Sequence, residues 1–100
     1  MIGGVRFANH PPDAPEPVHQ VKPRYSAAML AARASGVVTA RLLVDADGAV
    51  AEVVVLEDIG HDARTLAAEA FRQFRFRPAR RHGESVAVWI VFRMRFEYQE

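Results

Sequence analysis

The longest regular pattern of apolar and polar positions lies near the C-terminal end, from Val86 to Tyr98. Val86, Val88, Ile90, Phe92, Met94, Phe96 and Tyr98 put an apolar side chain at every second position, and the face between them reads Ala87, Trp89, Val91, Arg93, Arg95, Glu97. A period of two predicts a β-strand, because successive Cβ atoms point to opposite faces. The first face covers a core. The second, half apolar and half charged, is expected to be part covered and part wet. At ~3.3 Å per residue, thirteen residues make a ribbon of roughly 43 Å, about twice the common strand. Such a strand outruns its neighbours in a small sheet and leaves backbone N–H and C=O groups free to pair with another chain.

Upstream the periods change. Ala27, Leu30, Ala31 and Ala34 fall at i, i+3, i+4 and i+7, which predicts a helix of about two and a half turns with one buried stripe. Ser26 is its expected N-cap and Gly36 its left-handed exit. Val38, Ala40, Leu42 and Val44 alternate as a strand, and Asp45-Ala46-Asp47-Gly48 supplies a hairpin turn. The return strand runs from Val50 to Leu56, and the slip in its apolar phase predicts a β-bulge near Ala51-Glu52. Asp62 is the expected N-cap of a second helix, Ala63 to about Arg75, burying Leu66, Ala67, Ala70, Phe71 and Phe74. Phe76 and Pro78 end it, since proline disfavours helix in the residue before it. Arg80 to Gly83 is then a loop leading into the last strand. The order α-β-β-α-β predicts an α+β fold of two layers, a three-stranded antiparallel sheet with both helices on one face.

The first 20 residues carry no period. Four prolines between His10 and Pro17 favour extended backbone, so residues 1–20 are read as a proline-rich linker end and residues 21–98 as the domain. One hundred residues suffice for one core and not two. The absence of cysteine rules out a disulfide framework and a thiolate metal site. No apolar run approaches 18 residues and the start lacks a secretion pattern, so neither a span nor an export signal is expected within these residues. The net charge of +1 conceals a separation. From Asp45 to Glu69 there are seven acids and one base, and from Arg72 to Arg95 seven arginines and one acid. Packed together, the two stretches would form ordinary ion pairs, which is the expected outcome; held apart, they would make the surface dipolar.

Catalytic constellations are thin. Ser26, Ser35 and Ser85 have no nucleophile-elbow context. The histidines at 10, 19, 61 and 82 are scattered, and Asp45 and Asp47 belong to a turn without the rest of a calcium loop. No phosphate-cradling glycine loop occurs. No enzyme activity, cofactor or metal is therefore expected. Arg72, Arg75, Arg77, Arg80 and Arg81, interleaved with Phe74 and Phe76, have the look of a basic-aromatic nucleic-acid patch. The phenylalanines fall in phase with the core stripe, however, so nucleic acid is not the expected partner. A small α+β nucleic-acid-binding or regulatory domain built on the Arg72–Arg81 cluster is the alternative reading.

An ordered set of short motifs points further. Pro23-x-Tyr25, Gly36-x-Val38, Val44-Asp45-x-Asp47-Gly48-x-Val50, Gly60-His61 and Phe74-Arg75-Phe76-Arg77-Pro78-Ala79 resemble, in order and spacing, the TonB C-terminal domain. The resemblance spans about Val18 to Phe96. Ser26 stands where that family usually has proline, Phe74 where it usually has tryptophan, and Arg64 and Thr65 depart from its usual start of the second helix. The resemblance implies a periplasmic domain at the end of a longer protein, which is anchored in the inner membrane and works with the ExbB–ExbD motor. Such a domain binds the TonB box of a TonB-dependent outer-membrane receptor as an added β-strand and transmits force to it. Carried onto this chain, the peptide-binding positions are Val86, Val88, Ile90, Val91, Phe92, Arg93, Met94, Arg95 and Phe96, with Pro23 and Tyr25 as further receptor contacts. Separately from the resemblance, the length of the last strand against the shorter hairpin strands leads to the expectation of a homodimer paired through it.

Overall fold

Burial of one face of a central strand organises the fold. The computed structural model describes residues 14–98, so the first thirteen residues of the proline-rich stretch lie outside the described residues. In chain order the elements are β1 (Glu16–His19), α1 (Ala27–Ala32), β2 (Gly36–Val44), β3 (Val50–Glu57), α2 (Ala63–Arg72), β4 (Arg75–Arg77), β5 (Ala79–Arg81), β6 (Glu84–Val86) and β7 (Val88–Phe96). β2 is the middle of an antiparallel three-stranded sheet ordered β3-β2-β7. Its residues Val38, Ala40, Leu42 and Val44 are fully buried, under Met29 of α1 and the α2 stripe Ala63, Leu66, Ala67, Ala70 and Phe71. The expected two-layer α+β arrangement is what forms. No described helix is long and apolar enough to cross a membrane.

The β2–β3 hairpin follows its sequence closely. The Asp45 carboxylate accepts from the backbone N–H of Asp47 at 2.9 Å and of Ala49 at 3.0 Å, and Gly48 takes φ +87°. Gly48 has a second reason to lack a side chain, because a Cβ there would lie 2.0 Å from the carbonyl oxygen of Phe76. Register runs Leu43 to Glu52 and then Val44 to Val50, which leaves Ala51 as the extra residue of the expected bulge. A second slip, Thr39 to Glu57 and Ala40 to Val55, leaves Leu56 unpaired as well.

Several expectations are corrected. The last strand is not one ribbon: Val86 belongs to β6, which pairs with β5 across a His82-Gly83 turn, both residues at positive φ. After a break at Ala87, β7 matches β2 residue for residue, from Gly36 opposite Phe96 to Val44 opposite Val88. It therefore does not outrun its neighbour. The α1 stripe also differs. Leu30 is 52% exposed while Met29 is fully buried, and the left-handed C-cap is Arg33 (φ 51°), not Gly36. Gly36 opens β2 instead, where a Cβ would meet the Ile59 side chain at 2.6 Å. Ser26 does cap the helix, accepting from Met29 N–H at 3.1 Å. Asp62 precedes α2 but makes no side-chain cap bond. That helix stops at Arg72, because Arg75–Arg77 becomes a strand paired with β1, inside the stretch read as linker.

Phe71, Phe74 and Phe76 are core residues, as expected. With Phe92 of β7 they form one aromatic cluster, Phe74 lying 5.3 Å from Phe71, 6.3 Å from Phe76 and 5.5 Å from Phe92 between centroids. The contacts with Phe71 and Phe92 are edge-to-face and that with Phe76 is tilted, and edge-to-face packing at these distances adds to plain area burial.

Candidate functional site

A sheet of three strands has two edges, and they differ here. β3 packs against α2 and carries both bulges. β7 runs nine residues without a bulge, and among the described residues no strand pairs with its far side. Half of the backbone N–H and C=O groups of an edge strand point away from its only neighbour. β7 is thus a straight row of donors and acceptors.

Its side chains divide by parity. Val88, Ile90 and Phe92 are half-buried on the core face, and Met94 (6% exposed) and Phe96 (1%) are buried there. On the outer face Trp89 is half-buried, Val91 is 57% exposed, and Arg93 and Arg95 are exposed. Neither arginine forms an ion pair among the described residues. Val86, half-buried in β6, is separated from this row by Ala87.

The segment before α1 lies at the C-terminal end of β7. The Tyr25 ring meets Phe96 edge-on at 5.8 Å, and its hydroxyl donates to the Ala34 carbonyl at 2.9 Å. Tyr98 N–H donates to Ser35 Oγ at 3.0 Å, closing the same corner. Tyr25 is thereby a strut beneath the end of the edge; Pro23, two residues earlier, is half-buried.

One feature adds to the expectations and a second departs from the expected outcome. Trp89 lies beneath the Arg41 guanidinium, 5.1 Å from the ring centroid, on a sheet face that the core cluster does not include. Trp89 shares parity with Val91 and Arg93, and that was the available signal. The second feature is charge. The acidic and basic stretches do not pair with one another: the described ion pairs are Arg24–Glu69, Arg64–Asp58 and Arg77–Glu16. Instead Glu52 and Glu57 lie on β3, and Arg93 and Arg95 on β7.

The arginine cluster is largely committed to the chain. Arg75 donates to the Arg72 and Phe74 carbonyls, Arg77 pairs with Glu16, and Arg80 donates to the Gly83 carbonyl. With Phe74 and Phe76 buried, no aromatic ring of this cluster is free to stack on a base. Among the described residues no three metal-ligating side chains come together.

Residues 21–98 match the sequence model of the family described as the C-terminal part of the Gram-negative bacterial TonB protein. The solution structure of the TonB C-terminal domain of Pseudomonas aeruginosa superposes with a TM-score of 0.70 at 22% identity, over 92% of this chain and 93% of that one. At that identity the likeness establishes the shared fold. No curated protein matches the chain.

Proposed function

The chain belongs to the Gram-negative TonB C-terminal family, and from that premise we propose that it binds the TonB box of an outer-membrane receptor as a strand added along β7. It is a TonB-type, protein-binding domain of the cell envelope. In the proposed setting it works in the periplasm at the end of a longer protein anchored in the inner membrane, and it passes on force from the ExbB–ExbD motor. The observation that carries the reading is the unpaired, bulge-free edge of β7. An added strand gains affinity from main-chain hydrogen bonds, and the pockets beside alternate side chains set its preferences. Next to Ile90 and Phe92 an incoming strand meets half-buried apolar surface, and next to Arg93 and Arg95 exposed positive charge. The favoured peptide is apolar on one face and carries an acid on the other.

The test is calorimetry with receptor N-terminal peptides methylated at one backbone nitrogen at a time. Alternate N–H groups of a strand point to opposite sides, so binding should fall at every second position and survive between. Loss at consecutive positions, or at none, would remove strand addition as the mechanism. Arg93→Gln keeps the ladder and should weaken binding no more than about tenfold. If the arginines instead held nucleic acid, affinity would fall by about a thousandfold or more between 50 and 200 mM salt.

A further inference from the structure

The sheet's second face belongs to neither the core nor the β7 edge. Val37, Arg41 and Leu43 of β2, Glu52 and Val54 of β3, and Trp89 and Val91 of β7 share it by register. None of the apolar residues among them is part of the core cluster or packs against it. Both helices lie on the other side, Met29 and the α2 stripe being core residues. The face is acidic along β3, at Glu52 and Glu57, and basic along β7, at Arg93 and Arg95. Among the described residues, none of these four makes an ion pair.

We infer that this face is complementary to itself and docks a second copy of the chain, sheet on sheet. Consider a two-fold axis in the plane of contact and parallel to β2. It turns the sheet over and carries β3 of one copy onto β7 of the other, and each residue keeps its level along the strand. Glu57 and Arg93 are both level with Thr39, so each meets the other across the axis. Val54 and Val91 are both level with Arg41, and they meet as an apolar pair. Glu52 and Trp89 are both level with Leu43, and the Arg41 guanidinium already lies over that indole. Glu52 of one copy therefore reaches the Arg41–Trp89 pair of the other. Because Arg41 leans toward Trp89, the two copies' guanidinium groups stay off the axis.

Other arrangements lack this match. A two-fold axis perpendicular to the strands sets Glu57 against Glu52, acid against acid. Edge-to-edge pairing of two β7 strands, the homodimer expected from the length of the last strand, lines up the Arg93 and Arg95 side chains of both copies along one seam, where like charges repel. Aligned sheets pack about 10 Å apart with side chains interdigitating, which suits the Leu43, Val54 and Val91 band. Three strands of this length offer a face about 14 by 30 Å, at the small end of specific interfaces, so the dimer is a weak one. It leaves the backbone of both β7 edges outward, so the dimer stands whether or not the peptide-binding reading holds, although Arg93 has a part in both.

Sedimentation velocity of the whole chain over a concentration series tests it, with circular dichroism confirming the fold of each variant. The single reversals Arg93→Glu and Glu57→Arg should each weaken the dimer about tenfold or more, and the double reversal should restore it to within about threefold. Saturating receptor peptide should leave the dimer intact. A chain that stays monomeric to millimolar concentration overturns the inference. So do single reversals without effect, a double reversal as weak as the singles, or a dimer that peptide dissociates. Should peptide fail to bind at all, the reversal series still decides the matter, so the two readings fail separately.

Discussion

The two edges of the sheet are built on the same central strand and end up with opposite properties. On one side β2 pairs with β3 through a ladder interrupted at Ala51 and Leu56, and α2 packs against that strand. On the other side β2 pairs with β7 through nine consecutive partners without interruption. A bulge leaves one residue unpaired, bends the strand and increases its twist, and so spoils an edge as a template for another strand. A straight strand keeps its outward donors and acceptors in register. The lesson is that regularity, and not strand length, sets the two edges apart: β3 has eight residues and β7 nine. Charge follows the same division, acid on the bulged edge and arginine on the straight one.

The largest expected effect comes from breaking what supports the straight edge. Phe74 touches the rings of Phe71, Phe76 and Phe92, the last of them on β7. Phe74→Ala should cost ~3–5 kcal/mol, a large share of a small domain's stability. Chemical denaturation would measure it, and a loss below about 1 kcal/mol would mean that Phe74 does not hold the core. Native-state hydrogen exchange should show β7 amides losing protection before those of β3. The reverse order would mean that the aromatic cluster does not carry that edge.

Gly48→Ala addresses the opposite edge. It combines a positive φ of 87° with a Cβ only 2.0 Å from a backbone oxygen, and backbone cannot step aside as a side chain can. The turn also joins β4, through Phe76 N–H to the Gly48 carbonyl at 2.8 Å. A cost of at least ~2 kcal/mol is expected, read by thermal or chemical unfolding, with exchange rising first along β3 and β4. Uniform loss along both edges would show that the sheet responds as one body and has no independent sides.

Much of this frame was legible in the sequence because local rules govern it. Val38 to Val44 alternate under one buried face, Asp-x-Asp-Gly specifies the turn, and the missed beat at Ala51 is itself the bulge signal. Helix α1 departs from its expected stripe for a physical reason. Ala27, Ala28, Ala31, Ala32 and Ala34 surround it with small side chains, so its period is undetermined, and Met29, the one large side chain that is buried, sets the facing. The break at Ala87 could not show in the pattern, because Val86 and Val88 keep the same parity on either side. The β1–β4 pairing joins residues about sixty apart, and its local trace, Arg75-Phe76-Arg77 with only the middle residue buried, reads equally as a helix end. Recognising β7 as an edge required knowing which strand lies beside β2, a non-local fact that alternation alone does not hold.

The smallest effect on stability, and the sharpest test of straightness against charge, is deletion of Ala51. Leu43 already faces Glu52 and Val44 already faces Val50, so without Ala51 the ladder closes with every side chain on its present face. Stability should change by no more than about 1 kcal/mol, since no core group moves and one unpaired residue is lost. The turn-side half of β3 then becomes a regular edge while keeping Glu52 and Glu57. If straightness is what makes an edge usable, the variant should gain a second, weaker site for extended peptide. Calorimetric stoichiometry should then rise above one per chain, with the new site favouring basic peptides where the first favours acidic ones. If stoichiometry stays at one for peptides of either charge, the bulge is not what closes the β3 edge. The cover of α2 would then be the remaining difference between the two sides.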